Sequence, residues 1–161
     1  MKRLKSGELK TLFDAKVLCT ILSKLREYIQ ILKEVRQSVD RTSFSDYRHH
    51  GLAERYLQLA IEAALDIGNH LISRFDLRKP ERYHDIFIIL GENGILPASF
   101  AKNIAKMAGF RNILVHAYLD LDLDIVYNIL QMIVEDLEHF AKYIVEFIEK
   151  KKTEKENLDE P

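Results

Sequence analysis

Apolar residues recur along this chain at steps of three and four, the spacing that gathers them on one side of an α-helix. The first such run covers about residues 12–38, with Val17, Leu18, Ile21, Leu22, Leu25, Tyr28, Ile29, Leu32 and Val35 in register. Residues 40–45 read as a connector. A second long helix is predicted over about 45–75, carrying Leu57, Ala60, Ile61, Ala64, Leu65, Ile67, Leu71 and Ile72, with Gly51 placed to admit a bend near its start. Pro80 suits the entry to a short third helix over about 81–92, and Gly91-Glu92-Asn93-Gly94 is a turn signal. Pro97 opens a fourth helix predicted to reach about Met107. Gly109 is expected to interrupt it, so that the chain kinks and restarts at Arg111. A last helix is predicted over about 122–150, amphipathic through Ile125, Val126, Ile129, Met132, Ile133, Leu137, Phe140, Ile144 and Phe147. No alternating strand pattern and no solenoid-period repeat interrupts this reading. The expected fold is all-α: an up-and-down bundle of four long helices plus one short one.

Composition narrows the picture. One domain is expected over 1–150, followed by a charged, flexible tail at 151–161. Cys19 is the only cysteine, which excludes an intramolecular disulfide and a cysteine-based zinc site, and it reads as a buried, inert thiol. The first apolar stretch is broken by Glu8, Lys10, Asp14 and Lys16, so it is no secretory leader, and no run approaches a membrane span. A cytoplasmic protein without cofactor or metal is the expectation. A net charge of -1 gives no global attraction to nucleic acid, so any RNA contact must come from local patches.

One short segment carries chemistry: Arg111-Asn112-Ile113-Leu114-Val115-His116-Ala117-Tyr118. On a helix, Arg111 and Tyr118 share one stripe and Asn112 and His116 an adjacent one, while Ile113, Leu114 and Ala117 are expected to face the core. This set matches what metal-free RNA cleavage requires. Histidine can take the proton of a ribose 2′-hydroxyl or give one to the leaving 5′-oxygen. Arginine offers a permanently charged fork to the phosphoryl oxygens as negative charge grows on them. Asn112 is placed to orient the scissile phosphate or to hold His116 in one tautomer.

Other polar groups compete for a role. Glu62, Asp66 and Asn69 form one stripe beside the apolar face of the second helix. They are either a solvated edge or a supporting layer in which Asp66 or Glu62 pairs Arg111. Arg74, Arg78, Lys79 and Arg82 surround a connector and are candidates for binding RNA phosphates away from the cut, against the blander reading of a solvated loop. Lys2, Arg3, Lys5 and Lys10 carry less weight, and His70 reads as structural. Asp120, Asp122 and Asp124 begin like a calcium loop, but Ile125 and Gln131 stand where glycine and glutamate are needed, so they read as turn and cap residues.

The stretch from Gly109 through Tyr118 resembles the active-site segment of HepT-like HEPN ribonuclease toxins. A second block, Ala53 through His70, resembles the long second helix of that family, and the similarity runs over about residues 15–148. The resemblance implies a HEPN fold working as a homodimer, with the two Arg/His motifs meeting at the subunit interface. It further implies metal-independent RNA cleavage that leaves a cyclic phosphate, with Arg111, His116 and Asn112 at the catalytic centre. The implied partner is a minimal nucleotidyltransferase antitoxin that adds AMP to the motif tyrosine, here Tyr118. The competing reading is a non-catalytic subunit that docks such a transferase or a nucleotide through the same segment.

Overall fold

The computed structural model describes residues 6–116 and 119–159, without the side chains of 6, 8–13 and 159. Among the described residues there are six α-helices, one 3-10 turn and no strand. The helices are α1 (Ser6–Ser38), α2 (Tyr47–Arg74), α3 (Tyr83–Glu92), α4 (Ala98–Ile104), α5 (Met107–Val115) and α6 (Leu123–Asp159), with the 3-10 turn at Ser43–Ser45. The all-α expectation holds, with a different division into long and short members. Three helices are long, and the expected fourth is replaced by the short pair α4 and α5.

The three long helices form the bundle, and α3, α4 and α5 cover the side of it that α1 leaves open. On α1 the buried stripe is Leu18, Leu22, Leu25, Ile29, Leu32 and Val35, the three- and four-residue series of the sequence. Helix α2 is the spine. It buries Ala53, Leu57, Ala60, Ile61, Ala64, Leu65, Ile67, Leu71 and Ile72 and packs against α1, α3, α5 and α6. Phe87 of α3 meets Phe140 of α6 edge to face at 5.7 Å, which ties the short helices to the bundle.

Two helix ends are set by left-handed residues. Gly94 (φ 70°) follows α3, so that Ile95 N–H reaches Leu90 O at 2.9 Å and Gly94 N–H reaches Gly91 O at 3.2 Å. Asp76 (φ 50°) does the same after α2, with Leu77 N–H on Ile72 O at 3.0 Å. Asp46 caps the start of α2 by accepting from Arg48 N–H at 2.9 Å. The helix then runs unbroken through Gly51. Gly68 lets α3 approach closely, since a Cβ there would collide with Ile86 Cγ2.

Three expectations are corrected. The break in the fourth helix falls at Ala105–Lys106, and Gly109 lies inside α5. Ile104, Ala105, Met107 and Ala108 are all buried, so the chain stays against the core on both sides of the break. The turn carries Ala108 N–H on Ala105 O (3.2 Å) and Gly109 N–H on Lys106 O (3.0 Å), bonds that reach three residues back in place of four. The charged stretch from 151 continues α6 as far as Asp159. Its exposed residues are good helix formers and carry a Lys151–Glu154 ion pair at 2.7 Å on consecutive turns. Helix α1 starts at Ser6 instead of near residue 12. Cys19 is exposed, because Leu18 and Leu22 take the inward positions beside it. No helix among the described residues is long and apolar enough to cross a membrane.

Candidate active site

Helix α5 is held down by Met107, Ala108 and Leu114. Arg111 follows Met107 by four residues and precedes Leu114 by three, so it shares their inward stripe. Its stem is half-buried and its guanidinium crosses to α2. There Nε donates to Glu62 Oε1 at 2.9 Å. The Cζ atom lies 4.5 Å from the centre of the Tyr83 ring, at the first turn of α3. Three helices therefore fix one guanidinium: an ion pair from α2, a cation–π contact from α3 and the backbone of α5. Nη1 and Nη2 have no hydrogen-bond partner among the described residues, so the outer edge of the fork is available.

His116 stands at the end of α5, where its own N–H closes the last turn on Asn112 O at 3.2 Å. Its imidazole is exposed and has no hydrogen bond to any described residue. Asn112 is exposed as well, on the turn between Arg111 and His116. The expected division of this segment into a polar face and an apolar face needs correction. Leu114 is buried at 6% exposure, but Ile113 is 40% exposed, because the inward stripe is occupied by Met107, Arg111 and Leu114. Ala117 and Tyr118 lie outside the described residues, so the expected position of Tyr118 is neither supported nor overturned.

Of the two carboxylates considered as partners of Arg111, Glu62 makes the contact. Asp66, one turn further along α2, does not. Burial raises the Asp66 carboxyl above its ordinary value, and the neighbouring charge of Glu62 adds to that. Asn69 completes the stripe and reaches a different feature, an open cleft of about 910 Å³ between α2, α3 and α5. Asn69, Arg82, Tyr83, His84, Lys106 and Asn112 line it.

The four cations of the connector are not brought together. Arg82 lies on the cleft wall. Arg78 is committed to Glu92 through two hydrogen bonds of 2.9 and 3.0 Å. Arg74 borders a separate groove with Phe75, Phe147 and Lys151 at the far end of α2. Lys79 is exposed between them. His70 bonds through Nε2 to the backbone oxygen of Asp14 at 3.0 Å, which is a structural link between α2 and α1. Asp122 accepts from Asp124 N–H at 2.9 Å and so caps α6, as its position suggested.

Tyr83 and Lys106 were not singled out by sequence reasoning. Neither belongs to a local motif, because both reach the site only through the packing of α3 and of the α4–α5 turn against α2. A carboxylate fixes Tyr83 in place. Asp85 accepts from the backbone N–H groups of Arg82 (3.0 Å) and Glu81 (3.1 Å), which holds its carboxyl below the ordinary range and rigidifies the start of α3. Among the described residues, no group of His, Cys, Asp and Glu is arranged to hold a metal ion.

A family model described as ribonuclease HepT-like matches residues 25–144, which takes in every residue of this site. The mRNA nuclease HepT of Shewanella oneidensis is 33% identical over 126 residues, covering 77% of this chain and 95% of that protein. The tRNA nuclease HepT of Aphanizomenon flos-aquae is 30% identical over 129 residues, covering 80% of this chain and 88% of that protein. A solved structure of the tri-AMPylated Shewanella oneidensis HEPN toxin in complex with MNT antitoxin matches with a TM-score of 0.70 at 30% identity. That match covers 80% of this chain and 96% of the other.

Proposed function

The chain belongs to the ribonuclease HepT-like family, and from that footing we propose that it is the RNA-cleaving toxin of a toxin–antitoxin pair. The observation that carries this reading is the state of Arg111. Its Nε is anchored on Glu62 and its plane rests on Tyr83, while Nη1 and Nη2 are left for a ligand. An always-charged fork, pre-oriented and close to an exposed histidine, suits a phosphodiester.

Cleavage proceeds by attack of a ribose 2′-oxygen on the adjacent phosphorus. The 2′-hydroxyl proton passes to a neutral His116, the new P–O2′ bond forms and the P–O5′ bond breaks. The leaving 5′-oxygen takes a proton from a second, protonated imidazole, leaving a 2′,3′-cyclic phosphate and a 5′-hydroxyl. Arg111 stabilises the charge that grows on the non-bridging oxygens, and Asn112 orients the phosphate. One His116 cannot serve both oxygens at once in an in-line displacement. The second imidazole and second guanidinium come from another copy of the chain, in a homodimer whose interface brings the two motifs together. Ile113 at 40% exposure and Leu119 at 71% flank the motif and supply apolar surface for that contact.

Control comes from a minimal nucleotidyltransferase antitoxin. It transfers AMP from ATP to Tyr118: the phenolic oxygen bonds to the α-phosphorus, the phenolic proton is lost and pyrophosphate leaves. The added phosphate places bulk and negative charge beside His116, where the RNA phosphate must sit. The relative solved with its antitoxin carries such AMP groups. With RNA as its substrate, the protein works in the cytoplasm.

Incubation of purified protein with RNA tests the reading. Cleavage products ending in cyclic phosphate are expected, and they disappear in His116→Ala. An inert wild-type protein, or a His116→Ala variant as fast as wild type, refutes it. A mass increase of Tyr118 peptides after treatment with the transferase and ATP tests the control step.

A further inference from the structure

The cleft between α2, α3 and α5 is not used by the chemistry at the phosphate, yet it opens directly beside it. Its wall includes Asn112, the neighbour of Arg111 in sequence, and Tyr83, the residue on which Arg111 rests. Its volume of about 910 Å³ is within the range of sites that take small organic ligands. Tyr83 remains 45% exposed after Arg111 has covered part of its ring. The amides of Asn69 and Asn112 offer paired donors and acceptors. Arg82 and Lys106 place two cations at the cleft wall, beside the carboxylates of Glu81 and Asp85, of which Asp85 is engaged by the backbone N–H groups of Glu81 and Arg82.

An aromatic face, amide edges and flanking cations together are the chemistry that recognises a single-stranded nucleotide. The base stacks, its edge hydrogen-bonds and its phosphate meets the positive charge. We infer that this cleft is a nucleobase subsite and that Tyr83 is its stacking platform, a specificity-determining residue for the base next to the scissile phosphate. The inference rests on the ribonuclease reading above. Its added content is that one residue couples base recognition to the position of the catalytic arginine. A base seated on Tyr83 lies against the same ring that orients Arg111, so the correct base completes the support of the fork.

The test uses short single-stranded oligoribonucleotides identical except for the base on either side of the cut. Cleavage by wild type, Tyr83→Phe, Tyr83→Leu and His116→Ala is compared. Binding of an uncleavable oligonucleotide, with a 2′-deoxyribose at the cut, is measured in parallel. In Tyr83→Leu, KM for the favoured base and Kd for the uncleavable strand should rise roughly ten- to hundredfold, and the preference for that base should flatten. Tyr83→Phe should restore both. His116→Ala should cut at least roughly a hundredfold more slowly while still binding the uncleavable strand. If Tyr83→Leu lowers kcat but leaves KM, Kd and base preference intact, Tyr83 only props Arg111 and the subsite is refuted. If wild type cuts RNA and all Tyr83 variants match it, the subsite alone falls. If wild type cuts no RNA, the ribonuclease reading falls and takes the subsite with it.

Discussion

Arg111 Nε donates to Glu62 Oε1 across 2.9 Å, joining the middle of α5 to the middle of α2. The bond uses Nε, and among the described residues Nη1 and Nη2 carry no hydrogen bond. In the proposed reaction Glu62 would act through Arg111, as a positioning residue. Glu62→Gln keeps the shape and removes the charge, so the fork loses its fixed orientation. The expected result is a fall in kcat on the order of tenfold with little change in KM, because alignment matters most as charge develops in the transition state. The pair is partly exposed, with side chains at 21% and 37%, so the loss of stability should stay within about 1 kcal/mol. Steady-state kinetics and urea unfolding check the two halves. A fall in stability large enough to explain the lost activity would count against a positioning role.

Lysine cannot reproduce the geometry of Arg111. A compact ammonium can pair with Glu62 or face the phosphate, but it cannot do both from one rigid plane. Arg111→Lys should lose roughly a hundredfold or more in kcat although the charge is kept. His116→Ala should lose a factor of about 10² to 10⁴ with an unchanged Tm, since the imidazole is exposed and bonds to no described residue. Dialysis against EDTA should leave the wild-type rate unaltered, because the proposed steps are proton transfers and charge stabilisation by side chains. A rate that collapses with EDTA and returns with a divalent ion would overturn the mechanism.

Much of this could be read from the chain before any coordinates. The buried stripes of α1 and α2 follow their three- and four-residue spacing, and Glu62 reached Arg111 as its position on α2 allowed. What failed was local geometry decided by tertiary packing. Gly109 looked like the break before Arg111, but the break falls at Ala105–Lys106, where the N–H groups of Ala108 and Gly109 bond three residues back. Ile113 looked inward because it is apolar, yet Arg111 holds the inward stripe. Periodicity alone could not show that an arginine would find its partners on the core side of the helix. Tyr83 was invisible for a related reason. Its role depends on how closely α3 lies against α2, and that distance is set by an absent side chain at Gly68.

Gly68 therefore offers a test of the frame that carries the site. A Cβ at this position would run into Ile86 Cγ2, with Leu90 Cδ1 a further 3.6 Å neighbour. Both side chains are buried, so neither can swing aside into solvent. Gly68→Ala should push α3 away from α2 and destabilise the fold by about 1–3 kcal/mol, despite the better helix propensity of alanine. Because Tyr83 travels with α3, activity should fall further than the change in folded fraction accounts for. Urea unfolding followed by kinetics under fully folded conditions separates these effects. A variant as stable as wild type would show that the two helices are less closely held than their packing indicates.

Asp66 supplies the pH dependence. Its carboxyl titrates above the ordinary 3.8, first because burial disfavours the charge and second because Glu62 lies one turn away. The folded chain thus holds this proton more tightly than the unfolded chain does. The stability so contributed is complete below the ordinary carboxylate value, and it is lost as the pH rises through the raised value of the folded state. At neutral pH the ionised carboxylate opposes folding only weakly, because the Asp66 side chain is still exposed to water. Asp66→Asn removes that opposition, so the variant should melt at a higher temperature than wild type at pH 7. The gap should close as the pH falls below about 4, where Asp66 is protonated in both states. Thermal melts of the two proteins across this range give the answer. A variant less stable than wild type at pH 7 would mean that the Asp66 carboxylate has a favourable partner.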